Sequence, residues 1–188
     1  MSLLRMHTLA VLAAMAVAGC TTSAMKPIQP VAHVDLPRFM GDWYVIAHIP
    51  SFIERNAYDA VESYELQEDG RIQTTFRYRN KSHDAPLKTM SPMGTVRADT
   101  GNAIWGMQFV WPIKAEYVVV YLNDDYTQTL IGRSARDYMW IMARSPKIPE
   151  PDFQAHLRRL ESLGYDTTAV RRVPQSVEPS ACLRPGPS

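Results

Sequence analysis

The sequence predicts an all-β fold, an eight-stranded antiparallel up-and-down β-barrel with one C-terminal α-helix packed outside. Three observations carry this. Runs of β-forming residues recur at short, regular spacing, near 42–50, 57–66, 71–80, 87–98, 103–111, 116–122, 127–132 and 138–144. Turn signals lie between them: Glu68-Asp69-Gly70 closes the second run onto the third, and Asp99-Thr100-Gly101-Asn102 closes the fourth onto the fifth. After Pro149 and Pro151 the period changes, and Phe153, Leu157, Leu160 and Leu163 recur at helical spacing. Eight strands closed into a barrel leave no exposed sheet edge.

The chain begins with Arg5 and an apolar stretch from Leu9 to Ala18. That stretch is too short to span a membrane and suits a signal peptide over 1–19. Val17-Ala18-Gly19-Cys20 resembles the lipobox of bacterial lipoproteins. The resemblance implies cleavage before Cys20 and acylation of its thiol and new amino group, palmitate being the type of chain expected. Each CH₂ placed in a bilayer contributes about 0.8 kcal/mol, so acyl chains anchor a protein without a spanning helix. Thr21, rather than Asp, implies sorting to the outer membrane, with the protein on its periplasmic face. Residues 20–34 are polar and contain prolines, and are read as a tether. The domain is expected over 35–175.

The first strand opens at Gly41-Asp42-Trp43-Tyr44, just after a Leu-Pro-Arg-Phe turn. Glycine allows a tight entry into a strand, and tryptophan supplies a large apolar plate with one N–H. Tyr121-Leu122-Asn123-Asp124-Asp125-Tyr126 ends a valine-rich strand in a turn. Tyr138-Met139-Trp140-Ile141-Met142-Ala143-Arg144 is a strand ending in a cation. In order and spacing these three stretches resemble the signature regions of the lipocalin family, most nearly its bacterial outer-membrane lipoproteins. The resemblance covers roughly 35–175. It implies a lipocalin calyx holding a small apolar ligand. It also implies that Arg144 lies across Trp43 at the closed end of the barrel, as a structural pair.

Strand alternation then sorts the interior. Trp43, Val45, Ala47 and Ile49 share one face of the first strand, and Tyr138, Trp140, Met142 and Arg144 one face of the last. Trp105, Met107, Phe109 and Trp111 alternate with Ile104, Gly106, Gln108 and Val110. Such a face either fills a core or lines a cavity; an eight-stranded barrel of this kind has room for one small ligand. The expected ligand wall is Ala60, Tyr64, Phe76, Tyr78, Trp105, Met107, Phe109, Trp111, Tyr117 and Trp140, with the small Ala60 keeping space open. Glu62 shares the face of Ala60 and Tyr64, and Lys114 follows a loop at the rim. Both are candidates to meet a ligand head group.

The formal net charge is +1, and Arg5 is the only charged residue ahead of Cys20, so no basic face points to nucleic acid. The five histidines are scattered without metal-ligand spacing, and no metal or cofactor is expected. His48 is the histidine left open as a haem ligand. The two cysteines, Cys20 and Cys182, lie outside the barrel strands, so the interior thiolate that one lipocalin enzyme uses is missing. No Gly-x-Ser-x-Gly elbow or phosphate loop is present. The expected function is therefore binding: storage or transport of fatty acid or lysophospholipid by a lipid-anchored envelope protein. A pigment or haem binder is the alternative, and a lipocalin-type enzyme the remoter one. Cys182 sits in a proline-, serine- and glycine-rich tail expected to be disordered over 176–188, and a homodimer stays open.

Overall fold

A computed structural model describes residues 26–52 and 54–176. Cys20, the stretch 1–19 expected as a signal peptide, and Cys182 lie outside the described residues. The elements in order are a short helix α1 (Leu36–Phe39), strands β1 (Gly41–Ile49), β2 (Ala57–Leu66), β3 (Arg71–Asn80), β4 (Leu87–Met90), β5 (Met93–Val96), β6 (Ile104–Val110), β7 (Ile113–Leu122), β8 (Gln128–Gly132) and β9 (Met139–Ala143), helix α2 (Glu150–Ser162), a 3-10 turn (Thr167–Ala169) and a two-residue strand β10 (Arg171–Arg172).

Strands pair antiparallel in the order β1-β2-β3-β5-β6-β7-β8-β9, and β1 pairs with β9 to close the barrel. The barrel counts eight staves because β4 and β5 share one. β4 pairs the upper end of β3, while β5 pairs its lower end and then β6. The expected continuous strand over 87–98 is broken at Ser91-Pro92, where proline has no N–H to give the ladder. β10 adds to β1 on its far side through Ala47 and His48.

Side chains separate into two cores. The inner one runs up the barrel through Trp43, Val45, Ile72, Trp105, Tyr117 and Met142. The outer one lies between the sheet and α2, through Tyr44, Ile46, Ile141, Phe153 and Leu160. Pro151 fits the first turn of α2, where no backbone N–H is needed.

The face expected for β1 changes partway. A bulge between Val45 and Ala47 shifts the register against β9. One extra residue inverts the alternation. Ala47 and Ile49 therefore turn out into the outer core, and His48 turns in, opposite Trp140. The segment read as a tether is also corrected from Lys26 on. Val31 and Val34 donate backbone hydrogen bonds to Val119 and Gly101, both 2.8–2.9 Å, and Ile28 and Val34 are buried. This stretch is laid along the barrel wall; residues 20–25 of the expected tether lie outside the described residues.

Candidate functional site: an apolar cavity above a packed floor

The lower half of the barrel is solid. Phe39, at the end of α1, stacks on Trp43 at 5.0 Å and meets Trp105 edge-on at 5.4 Å. Trp105 stacks on Tyr117 at 4.9 Å, with Tyr64 edge-on to Trp105. Trp43 Nε1 donates to the Phe39 carbonyl at 2.8 Å, and Trp105 Nε1 to the Asn102 carbonyl at 2.6 Å, so both indoles are satisfied. The Arg144 guanidinium stands 3.9 Å over the Trp43 ring. It also donates to the carbonyls of Arg38, Phe39, Met40 and Asp42 at 2.8–3.0 Å. Carbonyls left over at the end of α1 thus find a donor in the cation that covers the floor.

The upper half is hollow. A cavity of about 210 Å³ opens to solvent at the end opposite α1. Its wall is almost wholly apolar: Phe76, Met90, Met107, Phe109, Tyr117 and Trp140 supply most of it. Ala115, opposite Met107 in the β6–β7 pair, is the small residue that leaves the space.

Of the residues expected at the ligand wall, Phe76, Met107, Phe109, Tyr117 and Trp140 line the cavity. The others do not. Tyr64, Tyr78 and Trp105 are buried in the filled core. Ala60, beside a bulge in β2, is also buried in the inner core, and its carbonyl takes a hydrogen bond from Gln175. Trp111 is in the β6–β7 turn, where no strand partner holds it inward, and is exposed. Lys114 is also on the outside. Its chain lies over Gly106 and its ammonium donates to Thr95 Oγ1 at 3.2 Å.

Glu62 does face inward, half-buried on the cavity wall. It accepts a short hydrogen bond from Tyr64 Oη, and Tyr64 Oη is 2.7 Å from Tyr117 Oη. Burial pushes its carboxyl up to about 7, partly offset by the Tyr64 hydrogen bond, with the charge of Glu54 adding to the rise. A carboxyl in this state is a neutral donor at mildly acid pH and an anion above neutrality.

Sequence reasoning missed Glu54, Thr74 and Arg133 at the cavity wall, and put Tyr138 on the face of Trp140 without counting it in the ligand wall. Glu54 accepts from Trp140 Nε1 at 2.9 Å and lies 3.4 Å from His48 Nδ1. The Arg133 guanidinium stands 5.1 Å over Tyr138 and pairs with Asp137 at 3.1 Å, while its buried Nε has no partner among the described residues. Glu54 and Arg133 come from loops, where no periodicity announces direction. Thr74 is on the inward face of β3 together with Phe76, so alternation would have found it. His48 is buried against Glu54 and does not reach the cavity surface. Among the described residues no cluster of three potential metal ligands occurs.

A closed antiparallel barrel with a pocket at one end and one helix outside defines a β-barrel binder of a small apolar molecule. The lipocalin-like domain model matches residues 34–175, and the chain belongs to the lipocalin family. It is 28% identical over 164 residues to the temperature-induced lipocalin-1 of Arabidopsis thaliana, covering 82% of this chain and 86% of that one. It is 28% identical to the outer membrane lipoprotein Blc of Citrobacter freundii, covering 88% and 94%. The Blc of Escherichia coli K12 is 26% identical, covering 89% and 94%. Among solved structures, the cockroach allergen Per a 4 superposes with a TM-score of 0.63 at 16% identity, over 81% of this chain and 96% of that one. Insecticyanin of the tobacco hornworm Manduca sexta gives 0.63 at 16%, over 79% and 85%. These two likenesses speak for the fold alone.

Proposed function

We propose that this protein is a lipid-anchored carrier of the cell envelope that takes the acyl chain of a fatty acid or lysophospholipid into its calyx. The observation that carries the reading is the 210 Å³ apolar cavity above a filled floor. A cavity of about 150 Å³ accepts benzene, and drug-sized ligands occupy roughly 300–1,000 Å³. The space here suits the end of an alkyl chain and is small for a haem or a fused-ring pigment. Apolar burial contributes roughly 25 cal/mol per Å².

Orientation follows from the charges. Glu62 lines the cavity and would repel a carboxylate or phosphate brought down to it, and Glu54 and Glu116 are acids on the same wall. The cation beside the cavity is Arg133, in the β8–β9 loop at the mouth. The chain therefore enters tail first and leaves an anionic head group near Arg133, the role the sequence assigned to Lys114. Anchorage rests on the lipobox at Cys20 and on the Citrobacter and Escherichia relatives, which are outer membrane lipoproteins by name.

Native mass spectrometry of residues 26–188, with extraction of whatever is bound, tests this. A stoichiometric acyl lipid is expected, and the same spectrum reads the oligomeric state. If no lipid copurifies and titration with lysophospholipid or fatty acid leaves both Trp fluorescence and the melting temperature unchanged, the reading fails.

A further inference from the structure

We infer that the open end of the barrel docks on an anionic lipid bilayer, mouth towards the membrane, with the β6–β7 turn and Phe52 dipping into the interface. The inference rests on the reading of Cys20 as an acylated anchor and adds how the barrel stands on the membrane.

Three observations converge on the same end. The first is exposed apolar surface. Phe52 is 84% exposed, Phe109 52%, Val110 68%, Trp111 82% and Ile113 71%. All five lie at the mouth, in the β1–β2 loop or around the β6–β7 turn, on both sides of the cavity opening. The closed end has Leu66, at 38%, as its large exposed apolar residue among those described. Large aromatic and aliphatic tips gathered on one end mark a contact with something apolar, and an indole is at home at the membrane interface.

The second is where the chain leaves the barrel. The Lys26 carbonyl accepts from Arg136 Nη1 at 2.7 Å, and Ile28 N donates to Ser134 Oγ at 3.3 Å. Both partners are in the β8–β9 loop, at the mouth. Cys20 precedes Lys26 by six residues, which reach about 20 Å when fully extended. The ten-residue strands β2 and β3 make the barrel about 25 Å tall once tilted by about 40°. An anchor at Cys20 cannot run the full height and place the closed end on the bilayer.

The third is charge. Exposed Arg55, Lys81, Lys88 and Lys114 surround the mouth against Asp84 and Asp137, whereas Glu68, Asp69, Asp99, Asp124 and Asp125 populate the turns of the closed end against Arg38, Arg71 and Arg97. The balance is cationic at the mouth and acidic at the closed end, so an anionic surface attracts the first and not the second. The lipid then passes between bilayer and cavity without crossing water.

Trp111 is its own probe, because Trp43 and Trp105 are buried in the barrel and Trp140 is largely covered. The full acylated chain is reconstituted in vesicles of phosphatidylethanolamine and phosphatidylglycerol, with or without bromine on the acyl chains near the head group. Vesicle flotation and the mass of the Cys20 peptide read the anchor independently. Expected are quenching of at least a third of the emission by bromolipid, its loss in Trp111→Phe, a two-fold or greater reduction in Phe52→Ser/Ile113→Ser, and weaker quenching without phosphatidylglycerol. Protein that floats, carries acyl chains on Cys20 and shows no bromolipid quenching overturns the inference and leaves the anchor standing. Protein that neither floats nor carries acyl chains overturns both.

Discussion

The two ends of this barrel are built from the same residue types for opposite ends. At the closed end, Phe39, Trp43, Tyr64 and Trp105 touch one another, and Arg144 seals them from below. At the open end, Phe76, Phe109 and Trp140 stand apart around a cavity. The difference comes from what each end encloses. α1 plugs the bottom and brings Phe39 into the barrel, so the rings below have a partner on every side. No element plugs the top, and Ala115 withdraws bulk from the wall there. An aromatic stripe is thus a floor where a helix meets it and a lining where nothing does.

The largest effect that tests this contrast is on stability. Trp43→Ala removes a fully buried ring from the packed half and leaves Arg144 without its aromatic plate. Loss of about 3–5 kcal/mol is expected by urea unfolding. Phe76→Ala removes a ring with one side already on the cavity, so its loss is expected to be less than half as large. Equal losses would mean that the upper half is as tightly packed as the lower.

Next in size is the pH response of the hollow half. The carboxyl of Glu62 titrates at about 7 in the fold against 4.5 in an unconstrained chain. The stability it contributes is present below about 4.5 and is lost as pH rises through 7. Its full extent is at most about 3 kcal/mol, and less where cavity water screens the charge. Glu62→Gln should gain about 1–2 kcal/mol over wild type at pH 8 and nothing at pH 4. His156 acts in the opposite direction beneath α2. Burial, with Arg159 adding, holds it down to about 4, so its contribution is lost as pH falls from 6.5 towards 4. The difference between wild type and Glu62→Gln cancels that slope. A flat difference across pH 4–8 would remove Glu62 from the account.

Ligand binding follows the same sign. An acyl chain against Glu62 displaces water from the carboxylate and favours the neutral form. Wild-type affinity for a lysophospholipid should fall by three-fold or more between pH 6 and 8. Affinity of Glu62→Gln should not change over that range. Arg133→Gln should weaken an anionic head group by about ten-fold at either pH, which separates the mouth from the wall.

Much of this was legible in the sequence. The eight staves and the outer helix follow from period and turn chemistry, and Pro92 could have announced the break between β4 and β5. The bulge after Val45 could not be read, because Ile46-Ala47-His48 has no residue that demands it; the bulge, not the alternation, decides that His48 faces Glu54. The division of the aromatic stripe was also hidden. Trp105 and Phe109 are on one face of one strand, and only the depth of α1 inside the barrel makes the first a floor and the second a rim. Trp111 continues the same pattern past the point where the strand stops, and a period carries no direction once the backbone turns.

The smallest test concerns Thr74, between the two halves. Its hydroxyl is buried on the inward face of β3, at the cavity surface, and its Oγ1 has no partner among the described residues. Thr74→Val keeps the shape and removes a polar group that the protein does not satisfy. If the cavity is as apolar as its wall, the exchange should stabilise by about 0.5–1 kcal/mol in thermal unfolding and tighten acyl-lipid binding. If bound water or a ligand hydroxyl satisfies Thr74, the same exchange should destabilise by a similar amount. That result would move the boundary between dry floor and solvated calyx down to the level of Glu62 and Thr74, and the preferred chain would be one carrying a polar group partway along its length.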